Sequence, residues 1–153
     1  MTISPPDDPT ILGHDRLFRR IFYARSEDWV RLVVTDSKTH VRQPTSAGFA
    51  AEDDGMSVYL ESTLQQSGLG PAAVVADPMN AVAALCADAI RGVGLGIVRD
   101  PNPADVPDPD HPRHAAHCLA KGWEKCKTRN DVRKLRKALA IASELVIDPG
   151  ATP

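Results

Sequence analysis

Residues 41–61, VRQPTSAGFAAEDDGMSVYLE, hold the densest set of groups able to bind a small polar ligand and act on it. Arg42 and Ser46 stand upstream of an acidic turn (Glu52, Asp53, Asp54, Gly55). Met56, Val58 and Leu60 then alternate with Ser57, Tyr59 and Glu61. A period of two is the signature of a strand with one buried face, and the other face here presents a hydroxyl, a phenol and a carboxylate. Pro44 holds Gln43 near extended geometry, which stiffens the approach to Ser46. A guanidinium is a planar fork suited to phosphate oxygens, so Arg42 with Ser46, Ser57 and Tyr59 forms a candidate site for a phosphate-containing ligand. Arg19, in the apolar run RLFRRIFYA, is a second candidate. On a strand, each face of that run carries one arginine among apolar groups. A buried guanidinium must find an anion or carbonyls, and an internal pair is the plainer account.

Further along, HPRHAAHC sets His111, His114 and His117 three residues apart. Two histidines at that step share a helix face and could hold zinc, but the paired-cysteine spacing of a structural site is missing, so no metal is expected. His114 is the candidate acid–base, a polar group directed into a ligand site. Arg129, Arg133, Lys134 and Lys137 belong to a basic segment with little acid in it. Cations at the N-terminal end of a helix oppose its dipole, so helix stability does not account for them. A solvated face is the ordinary explanation, and nucleic acid or an acidic protein partner the functional one. GVGLG follows a helix pattern and precedes a strand pattern, the reverse of a phosphate-binding loop. No G-x-S-x-G, H-E-x-x-H or Walker sequence is present.

The elements that must position these groups read as follows. Residues 1–13 are expected to be a flexible tail and 14–148 a single domain. Strands are expected at 16–24, 29–35, 56–61, 73–76 and 93–99. A short helix over 62–68 has Ser62 as cap and Gly68 as stop. Longer helices are expected at 78–92, 112–121 and 129–147, the last with Thr128 and Asp131 as an aspartate capping box. The proline-rich stretch 101–112 reads as an extended loop. Strands early and helices late predict an α+β fold: a mostly antiparallel, twisted sheet with about three main helices, the C-terminal two packed on one side. A net charge of −2 on 153 residues gives no general pull toward nucleic acid or anionic lipid. Three cysteines make an odd number for a disulfide framework, and neither a leader pattern nor a membrane span is legible. A bacterial-type cytoplasmic protein is the expectation.

The ordered set L-F-R-R-I (17–21), W-V (29–30), R-x-x-x-S-A-x-F (42–49), M-S-V (56–58), D-P-x-P (100–103) and H-P-x-H-A (111–115) resembles an uncharacterised family of small bacterial proteins. That likeness spans nearly the whole chain and implies no activity. A fainter one is to RES-type, ADP-ribosyltransferase-like NAD-degrading toxins, with Arg19 after Phe18, Arg42 before Phe49, and Ser57 with Tyr59 at the matching positions. The pattern departs where no asparagine follows Arg42, Phe49 stands seven residues on, and Ser57 precedes Tyr59. The resemblance implies an NAD glycohydrolase or ADP-ribosyltransferase of toxin or phage-defence type. NAD is then the substrate, Arg19 and Arg42 bind its phosphates, and Glu61 stabilises a ribosyl cation.

Two expectations follow. One is a small enzyme handling NAD or another nucleotide. The other is a non-catalytic accessory module that binds protein or nucleic acid through the basic C-terminal helix.

Overall fold

The first strand of the described chain, β1 (Arg16–Ile21), ends up in the middle of a sheet, with every later strand of that sheet added around it. In this computed structural model, residues 5–21, 30–34, 40–51, 55–75, 80–101, 106, 108 and 110–148 are described, with backbone alone for 30–34 and 40–43. β2 (Val30–Val34) and β3 (His40–Pro44) pair as a separate antiparallel ribbon. β4 (Met56–Leu60), β5 (Ala81–Cys86), β6 (Gly96–Arg99), β7 (His117–Lys121) and β8 (Glu144–Ile147) join β1 in a six-stranded sheet of order β6-β7-β4-β1-β5-β8. All of its pairings are antiparallel. With the helices α1 (Glu61–Gln66), α2 (Ala87–Gly92) and α3 (Arg129–Ala142), the fold is α+β as expected.

Side chains leave a strand to alternate faces, and this sheet is covered on both. Leu17 and Ile21 of β1, Met56, Val58 and Leu60 of β4, and Cys118 and Ala120 of β7 form one core with Phe49, Ile90 of α2, and Leu135 and Leu139 of α3. Phe18, Tyr59, Val82 and Ala84 face the other way, against Leu64 of α1, Val74 and Ala116. The two C-terminal helices therefore share one face and α1 lies on the other. The α3 boundary follows its sequence: Thr128 accepts from the Asp131 amide while the Asp131 carboxylate receives the Thr128 amide, a reciprocal cap. Gly68, at φ +70°, closes α1.

Several expected elements take another form. The helix expected at 78–92 is β5 followed by α2, because a strand buried on both faces reads as a continuous apolar run. Its alanines imitate helix propensity. The helix expected at 112–121 is a 3-10 turn, Pro112–Ala116, followed by β7, another doubly buried strand. Of the strand expected at 73–76, the first two residues belong to a 3-10 turn at Pro71–Val74, and Ala76 lies outside the described residues. The helix expected to reach 147 stops at Ala142, and β8 continues the chain. Leu60, and not Ser62, caps α1. Asp77 and Pro78, half of the 101–112 loop, and the acidic turn 52–54 lie outside the described residues.

Residues 5–13, expected to be part of a tail, are fastened to the body. The Asp7 carboxylate accepts from the Ile97 amide at 2.9 Å and pairs with Arg91 at 3.0 Å. Asp8 pairs with Arg99 at 3.1 Å, and Ile11 is buried in the core.

Candidate functional site

Tyr59 is the hub of a polar cluster on the α1 face of the sheet. β4 turns Ser57 and Tyr59 to this face, and β7 places His117 directly across from Tyr59. The His117 and Tyr59 rings meet edge to face with centroids 5.3 Å apart. Arg20, on the same face of β1, sets its guanidinium 5.9 Å from the centre of the Tyr59 ring. From the 3-10 turn Pro112–Ala116, Arg113 forms a two-pronged pair with Asp108 at 2.6 and 2.8 Å, and Tyr59 contributes to keeping its guanidinium charged.

Within this cluster, three groups are connected in series. The Ser57 hydroxyl lies 3.0 Å from Nε2 of His117. Nδ1 of His117 lies 3.0 Å from the Asp100 carbonyl oxygen and 3.1 Å from its carboxylate. Both Asp100 atoms only accept, so Nδ1 must carry the proton, and in the neutral ring Nε2 presents a lone pair to Ser57. The antiparallel start of β7 against the end of β6 supports this contact, with the Asp100 amide donating to the His117 carbonyl at 2.9 Å. His117 is 5% exposed and Ser57 half-buried, so the ring is held fast while the hydroxyl keeps some access.

Around this series lie nitrogens that lack a hydrogen-bond partner despite full burial: Nη2 of Arg20, Nε of Arg113 and Nδ1 of His114. Buried polar atoms are nearly always satisfied, so unsatisfied ones mark where a ligand group can bind. His114 holds the Asp108 carbonyl through Nε2 at 2.8 Å, which makes its buried Nδ1 the acceptor in the neutral ring. Hydrogen bonding from Arg113, offset in part by desolvation, holds the Asp108 carboxyl below the usual carboxylate range. Burial alone would lower the Arg113 pKa, but Asp108 and Tyr59 together raise it, so the group stays charged.

The expected site residues divide between two faces. Ser57 and Tyr59 come together at His117, whereas His114 is tied to Asp108. Glu61, at the first position of α1, pairs with Arg16 at 3.7 Å. Arg19 faces the α3 side, and its guanidinium donates to the carbonyls of Gly48, Ala50 and Ser57 at 3.0, 2.9 and 3.1 Å. Arg19 and Tyr59 therefore point to opposite faces of the sheet. Arg42 lies in β3, and its side chain is outside the described residues. Ser46 begins the 3-10 turn Ser46–Phe49 and lines a cleft with Arg129 and Arg133. Lys134 lines a different cleft on the other flank of α3, and Lys137 is exposed.

Arg20, Asp100, Arg113 and His117 are the members that the sequence reading did not select. The signal for His117 was its parity. With HCLAK read as a strand, His117 and Leu119 share a face, and pairing with β4 brings His117 beside Ser57. Among the described residues no three metal-ligating side chains cluster, and no helix is long and apolar enough to cross a membrane. No family model, curated protein or solved structure matches the chain.

Proposed function

We propose that the protein is a small hydrolase or transferase that uses Ser57 as a nucleophile on a phosphate-bearing ester. One observation carries the reading: Asp100 fixes the His117 tautomer, which turns the Nε2 lone pair to the Ser57 hydroxyl. In this scheme Ser57 Oγ forms a bond to the electrophilic carbon or phosphorus as its proton passes to His117 Nε2. The bond to the leaving oxygen breaks, and that oxygen takes the proton from His117. Water or an acceptor alcohol then releases the group from Ser57 by the reverse proton path. Asp100 orients the imidazole and stabilises its charged form without taking the proton itself.

Arg20 and Arg113 supply the preference for an anionic substrate. Two cations fixed beside the hub are preorganised for negative charge on the substrate or on the oxygen that gains it in the transition state. NAD and other nucleotides belong to this ligand class, but Glu61, held by Arg16, has no part in the scheme.

Turnover of p-nitrophenyl esters, with and without a phosphate group, tests the reading. The wild-type protein is expected to release p-nitrophenol. Ser57→Ala and His117→Gln should lose at least about 100-fold in rate, the usual scale for removing a general base, while keeping the fold. An unchanged rate in Ser57→Ala would exclude the proposal.

A further inference from the structure

The opposite face of the sheet carries a second feature, independent of Ser57. Arg129, Arg133 and Arg136 recur at steps of four and three residues along α3, which stacks them on one flank of the helix. At 1.5 Å per residue the stripe extends over about 10 Å. It forms one wall of a cleft of about 380 Å³, whose other wall is Ser46 and Ala47 of the 3-10 turn. Among the described residues none of the three arginines has an ion-pair partner, and Nε of Arg136 is buried without a hydrogen bond.

This placement is costly on its own. Three like charges at neighbouring steps repel, and Arg129 sits at the end of the helix where the dipole already disfavours a cation. The chain as a whole is slightly acidic, so the basic segment that carries the stripe is a local concentration of charge. Guanidinium forks are suited to phosphate oxygens, and the Ser46 hydroxyl can donate from the facing wall. The wall itself is rigid, since Arg19 ties the carbonyls of Gly48 and Ala50 to β1. Rigidity lowers the ordering cost of binding.

We infer that the cleft between α3 and the Ser46–Phe49 turn binds a chain of linked phosphates, held by Arg129, Arg133 and Arg136 with Ser46. A single-stranded nucleic acid and a nucleoside triphosphate both offer that chemistry.

Fluorescence anisotropy with a labelled single-stranded oligonucleotide, and competition by ATP, tests this with the full chain. The control is built into the helix, because Lys134 carries the same charge on the other flank and lines a separate cleft. Arg133→Glu should weaken binding at least 10-fold and Lys134→Glu less than 2-fold. Both residues are exposed, so both variants should fold. With three phosphate contacts on a single strand, log K is expected to fall with log salt with a slope of about −2, and Arg133→Gln should reduce that slope by about 0.7. Competition by ATP at micromolar concentration would assign the site to nucleotides, and its failure would assign it to a strand. Binding of neither ligand, or equal losses in Arg133→Glu and Lys134→Glu, would overturn the inference. Ser57→Ala should leave this binding unchanged, so it can fail or stand apart from the nucleophile.

Discussion

The guanidinium of Arg19 lies 3.0 Å from the carbonyl oxygen of Gly48, and this contact sets the role of Arg19. Its donations to Gly48, Ala50 and Ser57 fasten the 3-10 turn to the centre of the sheet. Arg20, the next residue, faces the other layer and carries a buried nitrogen without a hydrogen-bond partner. Arg19→Ala is expected to lower stability by about 3 kcal/mol or more, because it leaves buried carbonyls without a donor. Arg19→Lys should recover only part of that loss, since a single ammonium cannot reach all three oxygens as the fork does. Denaturant unfolding checks both. A variant that unfolds like wild type but loses ligand binding would assign Arg19 to a site instead.

Cys118 gives a second prediction. Burial pushes its thiol up to about 12, whereas Cys86 is exposed and Cys126 half-buried. The thiolate is the reactive form, so iodoacetamide at pH 8 should modify Cys86 and spare Cys118 until the protein is unfolded. The sign of the linkage is fixed as well. Unfolded Cys118 loses its proton at lower pH than folded Cys118, so stability should decline as pH rises from about 9 toward 12. Peptide mapping that finds Cys118 alkylated in the native protein would contradict this packing.

What could be read from the sequence, and what could not, follows from burial. β4 announced itself because one of its faces is more polar than the other, so its alternation survived in the sequence and put Ser57 with Tyr59 correctly. The reciprocal cap of α3 was legible because Thr128 and Asp131 act within one turn. β5 and β7 read as helices in the sequence because both of their faces are buried, which erases the alternation. That error carried over to the site. Read as a helix, HPRHAAHC offers His114 beside His117, whereas the strand separates them and gives His117 to Ser57. Asp100 and Arg113 come to the cluster through pairings across the sheet and a proline-rich connection, which no local pattern encodes.

Acid stability gives a third prediction. Asp8, Asp108 and Asp131 all titrate below their ordinary value of 3.8 in the folded protein, held there first by bonds from Thr10, Arg113 and the Lys127 amide respectively. A carboxyl with a depressed folded pKa contributes stability above its unfolded pKa and loses it as pH falls through the folded value. The melting temperature should therefore be level above about pH 5 and fall below about pH 4. Asp108→Asn should lower it at neutral pH, because buried Arg113 loses its partner, and should flatten the acid limb. Superimposable curves for Asp108→Asn and wild type would rule out the pair as a stabilising contact.

The central claim is that His117, oriented by Asp100, activates the Ser57 hydroxyl. Covalent trapping with a fluorophosphonate tests it most directly, because the serine oxygen must displace fluoride from phosphorus while the base takes its proton. Intact-mass analysis and peptide mapping should find one adduct, on Ser57. It should be absent in Ser57→Ala and form at least about 100-fold more slowly in His117→Gln. No adduct on the folded wild-type protein, or an adduct on Ser57 at the same rate in His117→Gln, would contradict the account.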